Sequence, residues 1–448
     1  MKSVLVANRG EIAVRIIKTL KALGIHSVQV FSEADEQSLA VSMADESIRI
    51  GPPQAAKSYL DKDKILEVAL TKNVDAIHPG YGFLSENAEF ANAVEESGIK
   101  FLGPASQTIE MLGNKVEARK LAVKAGVPVV PGTSGAISDL KSALSAAEEI
   151  GFPVMIKAAA GGGGRGIRIA QNPAMLEELL TISASEAKAA FGDGTLYLEK
   201  LIVNARHIEV QFMGDGENYV HCYERECSTQ RRRQKVWEEA PAIGVSEEIR
   251  KEMCDAALAL AKLARYVGVG TVEFLYDSDT KDFYFIEVNT RIQVEHPVTE
   301  LITNLDIVKV MLEIAENETL PLTQGDIKKV GHAIECRINA EDPFNQFFPS
   351  PGNVEVFRPP IGEGVRFDGM LYEGYSVPPY YDSLLGKLIV WGQTREIALA
   401  RMEKALNAFE IQGIKTTIPL HLNLLKTREI KEGTFDIKFL EEYLSRES

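Results

Sequence analysis

The stretch FIEVNTRIQVEHPVTE, Phe285 to Glu300, carries Glu287, Asn289, Arg291, Gln293 and Glu295 on every second position. Side chains alternate faces along an extended chain, so these five project to one side. Two carboxylates, two amides and a guanidinium cannot make an ordinary apolar face. Phe285, Ile286 and Val288 read as a buried strand, and the polar row beside them reads as a working surface.

Just upstream, GTVEFLYD reads as a neighbouring strand, joined to the first by a polar turn. Each of the two carries one glutamate, Glu273 and Glu287, among apolar residues. A buried carboxylate is costly unless it is paired or bound to metal. Glu273, Glu287 and Asn289 together offer oxygen donors that suit Mg²⁺ bridging nucleotide phosphates, and pairing with arginines is the other reading. Further along the row, Arg291 can grip a small oxyanion with its planar fork. Glu295 is then placed to take a proton as general base. Fully extended, the eight steps from Glu287 to Glu295 span at most ~26 Å, enough to lead from a terminal phosphate to a second substrate.

Two further segments suggest anions. CSTQRRRQKVWEEAPA puts four cations in the five positions Arg231 to Lys235. The chain as a whole has 49 basic and 64 acidic residues, 49 − 64 = −15. That balance disfavours nucleic-acid and anionic-membrane partners, so the cluster reads as a local anion site. KAAAGGGGRGIRIA satisfies a glycine fingerprint only loosely, because a strand rather than a helix follows and the GK[ST] ending is missing. It reads as a hairpin tip whose backbone N–H groups can close over phosphates, or as a flexible loop without a ligand. Lys157, at the end of apolar strand FPVMIK, supplies a point charge beside it. Lys115, in GNKVEARK, reads on pattern alone as a surface lysine.

The organisation is α/β, in part α+β. Residues 3–31 read as strand, helix and strand, with Ile12, Ile16, Leu20 and Leu23 on one helix face, which is a parallel crossover unit. The first turn, ANRGE, holds one glycine, so this region reads as a scaffold rather than a dinucleotide site. Expected boundaries are a doubly wound domain over 1–113, a central domain over 114–330 with a compact lid at 131–203, and a third domain over 331–448. From Arg206 the pattern turns antiparallel, with a hairpin at Asp215-Gly216. Ala398, Met402, Ala405 and Phe409 space an amphipathic helix near the end. Cys222, Cys227, Cys254 and Cys336 show no CxxC pairing, which predicts reduced thiols rather than disulfides or zinc. The short apolar run after Met1 and the lack of any long one predict a soluble cytoplasmic protein.

Taken together, ANRGEIAVRI, HPGYGFLSEN, KAAAGGGGRGI, EVNTRIQVEHPVTE, ECRINAEDP with FPSPG, and PPYYDSLLGKLI resemble the hallmark segments of the biotin carboxylases, in that family's order and over nearly the whole chain. The resemblance implies an ATP-grasp fold with a Rossmann-like N-terminal domain, a mobile lid and a C-terminal biotin carboxylase domain. It implies that ATP, bicarbonate and biotin on a partner protein give carboxybiotin, ADP and phosphate by way of carboxyphosphate.

By motif position, Lys115 and Lys157 would meet the ATP phosphates under Gly163 and Gly164. Glu199 and Ile202 would lie beside the adenine, with His207, Gln230 and Leu275 lining the pocket. Glu273, Glu287 and Asn289 would hold two Mg²⁺ or Mn²⁺ ions. Lys235, Arg291, Gln293 and the Val294 backbone would bind bicarbonate, with Glu295 as base. Arg337 would stabilise the biotin enolate and Tyr81 would face the biotin. Arg233 stands where the family pattern has a histidine, which leaves the role of that position open. No biotinyl-lysine motif or carboxyltransferase region is recognisable, so the expected partners are a biotin carboxyl carrier protein, carboxyltransferase subunits and a second copy in a homodimer. The final acceptor, an acyl-CoA such as acetyl-CoA or propionyl-CoA, or pyruvate, stays open. A carbamoyl-phosphate-synthetase-like ligase would share the lid, the lysines and the metal acids, but not HPGYGFLSEN with ECRINAEDP. A nucleotide-binding module with a dead site would be expected to lack some of Lys235, Glu287, Arg291 and Glu295, all of which are present.

Overall fold

The run SVLV forms β1 (Ser3–Val6), the centre of a parallel five-stranded sheet. Its neighbours are β2 (His26–Ser32), β3 (Glu46–Gly51), β4 (Ala76–His78) and β5 (Lys100–Phe101), in the order β3-β2-β1-β4-β5. Helix α1 (Gly10–Ala22) buries Ile12, Ile16 and Leu20 against the core. Leu23, expected on the same face, caps the helix and is exposed, because the chain turns at Gly24 with φ +70°. The strand order reverses between β1 and β4, where open α/β sheets form a crevice. Asn8 fills that crevice, its Nδ2 donating to the carbonyls of Pro79 at 2.7 Å and Tyr81 at 2.8 Å.

The computed structural model describes residues 1–133, 135–137, 139–158, 167–191 and 194–447. Two compact units emerge, one of Met1–Val127, Arg206–Tyr276 and Ile286–Ser448, the other of Pro128–Ala205 with Asp277–Phe285. In the second unit β6 (Val154–Ala158) lies between β7 (Ile167–Ala170) and β8 (Leu196–Lys200), both antiparallel to it. The helices Leu140–Ile150 and Pro173–Phe191 supply Ala143 and Leu176 to a core with Val154, Ile156 and Leu198. Gly163 and Gly164 lie outside the described residues.

The first unit also carries most of an eight-stranded sheet. Its strands include β9 (Ala205–Asp215), β10 (Tyr219–Arg231), β11 (Gln234–Ala240), β12 (Val267–Asp277), β13 (Phe283–Asn289) and β14 (His332–Asn339). The order is β13-β12-β9-β10-β11-β14, continued by Leu384–Gly392 and Val365–Gly369. The expected hairpin at Asp215-Gly216 is present, with Gly216 at φ +94°. The Asp215 carboxylate accepts from the backbone of Glu217 at 2.9 Å and Leu320 at 2.8 Å. The helix-like segment from Ser106 is two helices, Ser106–Gly113 and Lys115–Lys124, broken at Asn114, whose side chain caps the second. Helix Arg395–Ala408 buries Ala398, Met402 and Ala405, and Phe409 follows it into the same core with Trp237. The four cysteines are buried and free. Among the described residues no helix is long and apolar enough to cross a membrane.

Candidate active site

The polar row does not stay extended. β13 ends at Asn289, and a helix starts at His296 with Glu295 as its N-cap and a proline in its first turn. Between them Glu86 pins the bend, accepting from Arg291 Nε at 2.8 Å and from the Thr290 backbone at 3.3 Å. The alternation therefore fails as a strand over its second half. All five side chains nevertheless line one cavity of about 580 Å³ within the first unit.

Lys235 organises the floor of that cavity. From β11 its ammonium reaches Glu209 at 2.5 Å, Glu273 at 3.1 Å and Glu295 at 2.5 Å, which uses all three of its donors. Burial disfavours the charged lysine, but the three carboxylates outweigh it and hold its pKa well above the usual value. The same pairing works in reverse on Glu273, whose carboxyl is held well below its ordinary range by Lys235 and His207 despite burial. Glu295 is also held low, with burial and Glu209 opposed by Lys235, Arg337 and Arg225. It is therefore ionised at neutral pH. His207 Nε2 lies 3.2 Å from Glu273, and although burial disfavours its charge, that carboxylate raises its pKa to about 9.

Arg291 is held by Glu86 and by Asn289, whose Oδ1 accepts from it at 2.9 Å, and a third donor reaches the Ile292 carbonyl at 3.2 Å. A guanidinium has five N–H donors, so two remain for an oxyanion. Gln293 donates to Glu273 at 2.9 Å and accepts from Arg225 at 2.8 Å. Arg225 is fully buried and also donates to Glu209, Gln211, Thr271 and Thr299. Arg337, on β14, donates to Glu238 at 2.6 Å and to Glu295 at 3.1 Å.

The cavity wall also includes Lys115, His207, Gln230, Arg233, Leu275 and the Val294 backbone position. Lys115 sits 3.5 Å from Glu287 and is largely exposed. Lys235, Val294 and Arg337 are shared with a second, smaller cavity of about 180 Å³ that reaches Tyr81. Tyr81 donates its hydroxyl to buried Glu11. Lys157, Glu199 and Ile202 belong to the second unit, where Lys157 pairs with Glu199. Glu86, Glu209 and Arg225 also hold the site together, although no sequence motif marks them individually. Glu209 alternates with His207 and Gln211 in HIEVQFM, which was the available signal, while Glu86 hides in the loop motif HPGYGFLSEN.

For a divalent cation the donor chemistry fits. Glu273, Glu287 and Asn289 all line the cavity and offer oxygen ligands, as a hard ion requires. Glu287 has Lys115 as its ion-pair partner at 3.5 Å, whereas Glu273 Oε1 already accepts from Lys235, Asn289 and Gln293. A cation on Glu273 would therefore bind through Oε2, the oxygen that faces His207 at 3.2 Å, or displace one of these donors from Oε1. The tighter groups His207/Glu209/Glu273 and Glu209/Cys227/Glu295 instead surround the Lys235 ammonium.

Three family models match the chain: biotin carboxylase, N-terminal domain, over residues 1–109; carbamoyl-phosphate synthase L chain, ATP binding domain, over 114–323; and biotin carboxylase C-terminal domain over 335–442. Biotin carboxylase 1 of Bacillus subtilis (strain 168) is 51% identical over 444 residues, covering 99% of each chain. A biotin carboxylase domain of a thermophilic 2-oxoglutarate carboxylase bound to bicarbonate superposes with TM-score 0.94 at 46% identity, covering 99% of this chain and 98% of the other. The corresponding domain dimer from Hydrogenobacter thermophilus, in complex with MgADP, ADP and bicarbonate, gives TM-score 0.87 at 47% identity, covering 99% and 97%. With matching models at both ends and across the ATP-binding middle, and with relatives aligned over almost every residue, the chain belongs to the biotin carboxylase family of ATP-grasp proteins.

Proposed function

We propose that this protein carboxylates biotin held on a separate carrier protein, using ATP and bicarbonate and releasing ADP and phosphate. The observation that carries the reading is that Lys235, Arg291, Gln293, Glu295 and Arg337 line the same cavity as Glu273, Glu287 and Asn289. Bicarbonate is received by the two spare donors of Arg291, with Lys235 exchanging one carboxylate partner for the anion. Ionised Glu295 takes the bicarbonate proton as an oxygen of that anion attacks the γ-phosphorus and the bond to ADP breaks. Glu273 and Glu287, with Asn289, would hold Mg²⁺ or Mn²⁺, which supplies charge neutralisation on the phosphate oxygens.

Carboxyphosphate then yields CO₂ and phosphate near Arg337, and the smaller cavity between Arg337 and Tyr81 receives the biotin ring. The phosphate removes the ureido proton and the Arg337 guanidinium balances the resulting anion. Lys115, His207, Gln230 and Leu275 serve the nucleotide, as do Lys157, Glu199, Ile202, Gly163 and Gly164 by their motif positions. The three domains of the family pattern, 1–113, 114–330 and 331–448, are the division we propose for the chain. The carrier, the carboxyltransferase subunits and a homodimeric state follow from the same reading. ADP release measured with bicarbonate and free biotin, each omitted in turn, tests it. Release should require both, and turnover with ammonia in place of biotin would refute it in favour of a carbamoyl-phosphate-synthetase-like ligase.

A further inference from the structure

Behind Arg337 lie two buried carboxylates that the reaction does not use. Glu238 on β11 and Glu335 on β14 are directly opposed in the antiparallel register and have no exposed surface. Directly opposed residues have Cβ atoms roughly 5 Å apart, so the two carboxyl groups are neighbours. Only one is neutralised by a close contact. Glu238 Oε1 accepts from Arg337 at 2.6 Å, while Glu238 Oε2 and both oxygens of Glu335 have no hydrogen-bond partner among the described residues.

The surrounding charges do not supply what is missing. Arg337 is shared with Glu295, and Lys235 is saturated by Glu209, Glu273 and Glu295. Lys387, the cation across from Arg337 on the next strand, donates to the Val294 carbonyl at 2.8 Å and lies 3.1 Å from Glu11. Buried Cys227 and Cys336 are the other titratable groups nearby, and Glu239 is occupied with His332 and Arg395. Two adjacent carboxylates in such a place cannot both stay ionised without a large penalty, and one proton relieves it.

We propose that Glu238 and Glu335 are a positioning pair that holds one proton between them, so that Arg337 answers one negative charge from behind and keeps its remaining charge for the pocket. The pair touches no substrate. Burial raises both carboxyls, with Glu238 at about 7 despite Arg337 and Glu335 well above its usual value despite Lys387. Ionisation of the second carboxyl would draw the guanidinium charge backwards and weaken its support of an anionic biotin ring. The structural part stands independently; only the effect on turnover rests on the biotin carboxylase reading.

The proton is tested first, without reference to activity, by infrared spectroscopy of the wild-type protein at neutral pH. A protonated-carboxyl band that disappears in Glu335→Gln, where Glu238 keeps Arg337 as its counter-ion, is expected, and absence of such a band from the wild type overturns the pair. The second measurement is the pH profile of biotin- and bicarbonate-dependent ATP cleavage. Glu335→Gln, permanently neutral, should retain neutral-pH kcat within about threefold and move the alkaline limb up by about one pH unit or more, with KM for ATP unchanged. Glu335→Asp should restore the wild-type limb. A folded Glu335→Gln protein whose profile overlays the wild type, or which has lost kcat at every pH, overturns the positioning role. A wild-type protein showing the band but no biotin-dependent cleavage would refute the biotin carboxylase reading while leaving the shared proton standing.

Discussion

Glu86 bears on Arg291 more directly than any feature of the strand that delivers it. One carboxylate oxygen takes Arg291 Nε and the other takes the Thr290 backbone, so a single side chain fixes both the guanidinium and the bend that aims it. The pair is partly open to solvent, so its worth is nearer that of a charged surface hydrogen bond than of a buried one. Glu86→Gln should therefore raise KM for bicarbonate about fivefold, equivalent to about 1 kcal/mol, and leave KM for ATP unchanged. Equal effects on both substrates would show that Glu86 supports the loop rather than the anion site. At this scale the sequence is informative where a lone charge interrupts an apolar strand, as at Glu273, and where cations cluster, as at Lys235, whereas Arg337 is singled out only by the family resemblance. It is silent on Arg225, because nothing local shows that an arginine will be surrounded by five polar partners from four other segments of the chain.

Among elements, strands and helices followed their periodicities closely, and the departures have local physical causes. The alternation of the polar row predicts one extended ribbon, but Pro297 favours a helix start and the strand stops at Asn289. A strictly alternating row can thus line one cavity without sharing a strand. The basic cluster shows the opposite difficulty. Arg232 and Arg233 form the two-residue tip between β10 and β11, with φ +48° and +67°. Positive φ at both central residues is the mirror-image hairpin turn that favours asparagine and glycine. Arginine is strained at both positions. Arg233 faces the cavity, whereas exposed Arg232 gives Glu441 a backbone contact that any residue would keep. Arg232→Gly should stabilise the protein by about 1 kcal/mol and leave turnover intact, as judged by urea unfolding alongside steady-state rates. Destabilisation, or loss of turnover, would assign the Arg232 side chain a role beyond the turn.

At the scale of the whole molecule, motif order already points to an ATP-dependent protein, whereas the contacts that bind distant segments are invisible in the sequence. Glu239 is the clearest case. From β11 it meets His332, 93 positions away, at 2.7 Å, and Arg395, 156 positions away, at 2.7 and 2.8 Å, joining β11, β14 and the helix Arg395–Ala408. In the sequence it is merely one of two acids in WEEAP. Burial opposes its charge, yet His332 and Arg395 hold the carboxyl at about 2, below its ordinary 4.5. Because the folded-state value is depressed, the stabilisation is complete above about pH 4.5 and is lost as pH falls through about 2. The shift corresponds to something on the order of 3 kcal/mol at neutral pH. Glu239→Gln should lose most of that at neutral pH, since Arg395 and His332 keep only an amide between them. The gap between variant and wild type should narrow steadily between about pH 5 and pH 2, as the native carboxylate protonates. Urea midpoints for both proteins across that range measure the gap directly. A gap of constant size would mean that Glu239 contributes shape and packing rather than charge.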